Sequence, residues 1–173
     1  MGIGQWLQNH PRLLEKAFSS TLNMVEWLDP VISRIGYENV DRVLRKPEEW
    51  TKRAIFDCRM CGQCVLHSTG MTCPMTCPKN LRNGPCGGVR ANGNCEVFAD
   101  KPCIWVQAFE RSTQMAQFGE EMMHINPPVN RQLEGESAWL NMLTGVDKEV
   151  PKAWVGLSNI AIIPDGTYPK QAN

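Results

Sequence analysis

Eight cysteines are the residues of this chain whose type and spacing are best suited to chemistry. All of them lie in the stretch from residue 58 to residue 103. Thiolates are soft ligands that bind zinc ions and iron–sulfur clusters, whereas disulfides need an oxidising compartment and would be spread along the chain to close loops. The clustering therefore predicts metal ligands. The eight candidate ligands are Cys58, Cys61, Cys64, Cys73, Cys77, Cys86, Cys95 and Cys103.

The first three cysteines have the spacing CxxCxxC, in the run CRMCGQC. Structural zinc sites commonly use two separated CxxC pairs, whereas three cysteines on one short loop, with a more distant Cys-Pro cysteine, are typical of bacterial ferredoxins. Cys73 and Cys77 both precede a proline. The later cysteines are more widely spaced than in a ferredoxin. The sequence predicts that Cys58, Cys61 and Cys64 share a site and leaves the fourth ligand open.

Eight thiolates match two sites of four ligands with none left over. We therefore predict two [4Fe-4S] clusters, with zinc in one or both sites as the alternative. His67 lies within the cysteine-rich stretch and could replace a thiolate, as histidine does in some clusters. Glycines near the cysteines are expected to bring free backbone N–H groups close to the sulfurs, where they would raise the reduction potential of a bound cluster.

Helices are expected before the cysteines. Apolar residues recur at steps of three and four over residues 14–28, which predicts an amphipathic helix. Asp29 followed by Pro30 is typical of an N-cap and a first helical turn, and predicts a second helix that ends at Gly36. Pro47 is expected to begin another helix that leads towards the cysteines.

The cysteine-rich stretch itself is predicted to be irregular, because glycine and proline recur too often for a long helix or strand to persist. Pro102 is expected to begin a helix in which Trp105 and Ala108 share a face. Ser137 is a candidate N-cap for a short helix that ends at Gly145.

These elements predict a mainly α fold with a large irregular cysteine-rich metal-binding loop region, in which a small ferredoxin-like cluster module is flanked by helices. We expect three segments. Residues 1–56 form a helical N-terminal segment. Residues 57–125 form the cysteine-rich metal or iron–sulfur module with the helix that follows it, and residues 126–173 form an extended C-terminal arm that binds a partner, with Trp139 as its anchor.

Composition argues against several classes of function. Lys plus Arg and Asp plus Glu number 18 each, so the zero net charge does not favour nucleic acid or an anionic membrane as a partner. Lys79, Arg82 and Arg90 are expected to be solvated or to form a basic patch for an acidic partner. The sequence shows no signal peptide and no membrane-spanning run, which predicts a cytoplasmic protein. No catalytic residues are predicted, because no Ser/His/Asp set or pair of carboxylates stands out.

The cysteine-rich run resembles a known family. The run CRMCGQCVLHSTGMTCPMTCPKNLRNGPCGGVRANGNCEVFADKPCIWVQAF, with SAWLNML further on, is similar to the C-terminal-like domain of methylenetetrahydrofolate reductase. In acetogen-type enzymes that domain is a separate small subunit beside a flavin-bearing barrel. The resemblance implies a metal module that binds the barrel subunit and, where clusters are present, passes electrons to its flavin.

The resemblance implies a function in one-carbon metabolism. We expect an iron–sulfur electron-transfer small subunit that relays electrons to or from the flavin of the barrel, exchanging them with a ferredoxin-like or other redox carrier. The flavin and the tetrahydrofolate chemistry would belong to the partner, so this chain would be a non-catalytic accessory subunit of an oxidoreductase. The alternative is a structural zinc module that stabilises or recruits the reductase subunit. The direction of the folate reaction and the stoichiometry of the complex stay open.

Overall fold

Helices dominate the computed structural model, which describes residues 3–149. No β-strand occurs in this range, where an isolated antiparallel bridge joins Asn94 and Pro102. The prediction of a mainly α fold is confirmed. None of the helices in the described range has the length and hydropathy needed to cross a membrane. The α-helices are α1 (Ile3–Gln8), α2 (Pro11–Ile35), α3 (Tyr37–Phe56), α4 (Ile104–Ser112) and α5 (Ala138–Thr144). Short 3₁₀ turns cover His67–Thr69, Pro74–Thr76, Gly119–Met123, Arg131–Leu133 and Val146–Lys148.

Helices α2 and α3 are longer than the sequence predicted, because each continues through a proline. Helix α2 includes Pro30 and ends at Gly36, as predicted, where φ is 94°. Helix α3 includes Pro47. The separate helices predicted to begin at these prolines are therefore wrong. A proline removes one N–H from the helical ladder, but Val25 and Ile32, on either side of Pro30, are both buried against α5. This packing holds α2 in one piece.

Three apolar clusters hold the helices and the cysteine-rich stretch together. The first joins α2 to residues 66–75, around Phe18 and Met71. The second joins α4 to the later cysteines, around Trp105. The third joins α5 to α2, around Leu140. Apart from the bridge between Asn94 and Pro102, the stretch from residue 58 to residue 103 contains only turns, bends, short 3₁₀ turns and irregular segments, as predicted.

Residues 126–149 pack on the helices of their own chain. Leu133 and Ala138 are buried, and the ring centroid of Trp139 lies 5.0 Å from that of Phe18. The predicted short helix is present as α5, and Gly145 follows it in a left-handed conformation. Residues 126–149 are therefore not extended as expected, because Leu133, Ala138 and Leu140 are buried internally, whereas binding of a partner by this segment stays a prediction. Residues 150–173 lie outside the described residues.

Candidate metal centres

Two neighbouring cavities are each lined by four cysteines. The inner cavity has a volume of about 410 Å³ and the outer cavity about 970 Å³, both including their open mouths. All eight cysteines are free thiols. The inner set consists of Cys58, Cys61, Cys64 and Cys73, and the outer set consists of Cys77, Cys86, Cys95 and Cys103.

The inner set brings together the three cysteines that were predicted to share a site. It adds Cys73 as the fourth cysteine, whose identity the sequence left open. The thiols of Cys58 and Cys73 form a hydrogen bond, which lowers the pKa of Cys58 and raises that of Cys73. Burial raises the pKa of Cys64. Burial and close spacing therefore oppose the simultaneous deprotonation of all four thiols in the free protein. The thiols become good ligands when a bound cation neutralises their charge.

A shared wall separates the two cavities. Cys58 lines the inner cavity, and its neighbour Arg59 lines the outer cavity. The 3₁₀ turn that follows Cys73 passes from one cavity to the other, because Pro74 lines the inner cavity and Thr76 lines the outer cavity. The two sets of cysteines are therefore adjacent in the fold as well as in the chain.

Backbone N–H groups donate to sulfur in both sets, each from two residues further along the chain. The Met60 nitrogen lies 3.3 Å from Cys58 Sγ, and the Gly88 nitrogen lies 3.4 Å from Cys86 Sγ. Such donation favours the thiolate form. An additional N–H group, that of Phe98 three residues on, lowers the pKa of Cys95 together with the N–H of Val97. Glycine was expected to supply these donors, but Gly88 is the only glycine among the five. The remaining pairs are Leu66 with Cys64, Met75 with Cys73, and Val97 with Cys95.

An ion pair on α3 lines the inner cavity. Lys52 Nζ lies 2.5 Å from Glu48 Oε1, and both side chains are buried. Lys52 Nζ also lies 4.4 Å from the ring centroid of Trp139. The Glu48 carboxylate accepts hydrogen bonds from Ser137 Oγ at 2.5 Å and from the Ala138 nitrogen at 3.1 Å. The two charges of this pair sum to zero and its polar atoms are largely satisfied, although at Cys58 the effect of Lys52 on the pKa outweighs that of Glu48. Sequence analysis missed the pair, although its i, i+4 spacing just before the first cysteine was a readable signal.

Arg82 also lines the inner cavity, and its side chain is buried. Its Nη2 donates to the Gln63 carbonyl oxygen at 3.0 Å and its Nε donates to the Pro127 carbonyl oxygen at 2.9 Å. Its Nη1 is buried and has no hydrogen-bond partner among residues 3–149. No carboxylate in that range lies within 4.0 Å of the guanidinium. The solvated surface position expected for Arg82 is therefore wrong.

The outer set is closer to solvent. Cys86 is exposed, whereas Cys77 and Cys103 are buried against α4. Arg90 is exposed and donates from Nε to the Cys95 carbonyl oxygen at 3.3 Å. A salt bridge joins Lys79 to Glu96 at the rim.

His67 lines neither of the two cysteine cavities. Its Nδ1 is paired with the Glu121 carboxylate, and its ring lies against Phe18 and Phe118. His67 instead lines a third cavity, together with Phe18, Phe118 and Glu121.

The donor sets fit a thiolate-bound metal group. Each cavity offers four soft donors and backbone N–H groups that donate to sulfur, and the inner cavity adds the buried guanidinium of Arg82, whose charge has no acidic partner among residues 3–149. Such a charge is costly to bury unless an anion offsets it. Among residues 3–149, no three His, Cys, Asp or Glu side chains converge as they would around a single metal ion. The sulfurs are instead distributed around the cavities.

Comparison with known proteins assigns the family. Residues 37–132 match the family described as methylene-tetrahydrofolate reductase C terminal. No curated protein and no solved structure matches the chain. The matched residues include all eight cysteines and the whole of α3 and α4. Because the match spans more than half of the 173 residues, this chain belongs to the methylene-tetrahydrofolate reductase C-terminal family.

Proposed function

We propose that this chain is an iron–sulfur electron-transfer subunit that works with a flavin-bearing methylenetetrahydrofolate reductase subunit. The inner and outer sets of cysteines would each hold one [4Fe-4S] cluster. The chain would pass electrons between an external redox carrier, of the ferredoxin type or another, and the flavin of the barrel subunit. Reduction of the folate substrate would take place on the partner.

The division of eight thiols into two sets of four is the observation that supports this proposal most strongly. A [4Fe-4S] cluster is held by four cysteine thiolates, and each cavity is lined by that number. When bound, such clusters exchange single electrons, which a flavin can combine into a two-electron change. Family membership supports a reductase as the partner.

The chain's own residues would hold the two groups side by side and in different surroundings. The wall around Cys58 and the turn after Cys73 keep the cavities adjacent. The inner set lies beneath α2 and α3, whereas the outer set includes the exposed Cys86. The outer cavity is therefore the better place for exchange with a soluble carrier.

Metal and sulfide analysis of the anaerobically purified chain, together with its reductase subunit, tests the cluster assignment. Two clusters require about eight iron and eight acid-labile sulfide per chain, with the brown absorbance of iron–sulfur proteins. A preparation with zinc but neither iron nor sulfide would refute the proposal.

A second measurement separates electron transfer from a purely structural role. In the complex, Cys61→Ser should alter or remove the inner group and abolish turnover with the natural electron donor. A small artificial donor that reaches the flavin directly should still support activity. If both activities fell together, or if neither changed, the chain would stabilise its partner rather than relay electrons.

A structural zinc module is the second candidate. Four thiolates also suit one zinc ion, and the loop from residue 77 to residue 103 has little regular hydrogen bonding of its own to hold it. Zinc cannot change oxidation state. This candidate therefore predicts a colourless protein whose stability depends on its metal content. Loss of the metal would not affect electron transfer, because the metal takes no part in it.

A further inference from the structure

Arg82 carries a buried positive charge that no acidic side chain in the described part of the chain offsets. It is 7% exposed, lines the inner cavity, and has no carboxylate within 4.0 Å among residues 3–149. Its two hydrogen bonds to protein go to backbone carbonyls, and Nη1 is left without a partner in the described part of the chain. A guanidinium stays protonated in proteins, so burial cannot be relieved by loss of the proton. The charge needs an anion.

The other charges in the wall of the inner cavity do not supply that anion. Glu48 is the only carboxylate among the described residues that line the cavity, and it is bound to Lys52 and to α5. The Glu48 and Lys52 charges sum to zero. Arg82 therefore leaves this wall, which also contains the four cysteines, with a net charge of +1.

We propose that Arg82 is the counter-charge of the inner site and raises the reduction potential of a [4Fe-4S] cluster held there by Cys58, Cys61, Cys64 and Cys73. This inference rests on the proposed function. Four thiolates and an oxidised cluster core together carry net negative charge, and reduction adds one electron without forming or breaking a bond. A fixed cation in a low-dielectric wall stabilises the reduced form more than the oxidised form.

The two carbonyl hydrogen bonds suit Arg82 to this role. They fix the guanidinium plane from two sides, through Gln63 and Pro127. Gln63 is 1% exposed and is itself held by Asp147 and Asn130. The charge therefore has a defined position next to the inner set, unlike a mobile surface cation.

Three substitutions separate the charge of Arg82 from its hydrogen bonds. Arg82→Gln removes the charge and keeps a donor, whereas Arg82→Lys keeps the charge and loses the planar fork. Arg90→Gln is the matched control, because Arg90 also donates to backbone carbonyls but lies exposed beside the outer set. Each full-length chain would be titrated anaerobically with sodium dithionite, and the reduced signals would be followed by electron paramagnetic resonance. A Cys95→Ser background assigns the signal of the inner site.

In Arg82→Gln, the one-electron reduction equilibrium of the inner site should shift about tenfold towards the oxidised form, or by about 59 mV. Arg82→Lys and Arg90→Gln should stay close to the wild-type potential. Unchanged potentials in an Arg82→Gln protein with full iron content would overturn the proposal. Equal shifts in Arg82→Gln and Arg82→Lys would also overturn it, because geometry rather than charge would then be responsible.

Glu48→Gln provides an independent test if Arg82→Gln fails to fold. It removes the negative charge of the wall and keeps one acceptor oxygen, so one of the two hydrogen bonds from Ser137 Oγ and the Ala138 nitrogen is retained and the other is lost. The potential of the inner site should rise, and an unchanged or lower potential would contradict electrostatic control by this wall. Failure of the cluster assignment itself is distinguishable, since it would appear as absence of iron and sulfide from the wild-type chain.

Discussion

Glu48 and Lys52, one turn apart on α3, form a buried ion pair in the wall of the inner cavity, with 2.5 Å between Oε1 and Nζ. The carboxylate also accepts hydrogen bonds from Ser137 and Ala138 at the start of α5. The pair thus connects three parts of the structure: α3, the inner cavity and α5.

Lys52→Met should destabilise the fold by about 3 kcal/mol, because it leaves the Glu48 carboxylate buried without its cation. The free energy of unfolding, measured in urea, would test this. Arg53→Met is the matched control, since the Arg53–Glu49 pair has the same i, i+4 spacing on α3 but is exposed. The control should have little effect. Equal losses in the two variants would show that burial of the ion pair is unimportant.

Glu15 on α2 should stabilise the chain at neutral pH but not in acid. Its side chain is 1% exposed and accepts hydrogen bonds from the backbone nitrogens of Ala116, Gln117 and Phe118 at 2.9, 2.6 and 2.9 Å. Burial raises the pKa of Glu15, but the three N–H groups lower it by more, so it lies below the ordinary value of 4.5. Its stabilisation is therefore complete above pH 4.5 and is lost as pH falls through the folded pKa.

Glu15→Gln should accordingly cost about 2 to 3 kcal/mol at pH 7, since hydrogen bonds to a charged acceptor are the stronger kind. The difference from wild type should shrink below pH 4.5. Glu26→Gln, an exposed position on the same helix, is the control and corrects for acid effects on the cysteine sites that all variants share. A cost that is the same at pH 7 and in acid would contradict a role for the carboxylate charge.

Metal removal should loosen the outer set before the inner set. Residues 66–75 are packed under α2, with Met71 1% and Thr69 0% exposed. Residues 86–101 are mostly exposed and are held by a few turn hydrogen bonds, such as that from the Cys95 nitrogen to the Lys101 oxygen. After chelation, hydrogen exchange should accelerate most in residues 86–101. Equal protection there with and without metal would show that the metal does not hold this loop.

Deletion of residues 150–173 should release the reductase subunit while leaving the rest of the chain folded. Partner binding by the C-terminal segment stays a prediction, but the structure changes its test, because residues 126–149 contribute Leu133 and Leu140 to the chain's own core. Deletion from residue 126 should unfold the chain and serves as the contrasting variant. Co-purification from a co-expressing strain and circular dichroism measure the two effects. Undiminished co-purification of the shorter deletion would argue against this binding role.

Local sequence patterns predicted which parts of the chain are helical and which are irregular, but they did not predict where the helices begin and end. Apolar periodicity predicts the amphipathic α2, and dense glycine and proline predict the irregular cysteine-rich stretch. The helix boundaries predicted at the prolines were wrong. A proline costs a helix about 3 kcal/mol, but tertiary packing such as that of Val25 and Ile32 can overcome this cost. The role of Trp139 in the chain's own core was missed for a related reason, since its contact with Phe18 joins residues that are far apart in the chain.

The sequence by itself determined the chemistry available to the candidate site: eight soft candidate ligands, the shared cavity of the first three, and the family to which the run belongs. Only the tertiary structure decided that Cys73 completes the inner set and that Arg82 is buried in the same wall, with no acidic partner among residues 3–149. Ligand type and short spacing are properties of neighbours along the chain. The division into sets and the location of an uncompensated charge depend on how distant segments pack, which no local pattern records.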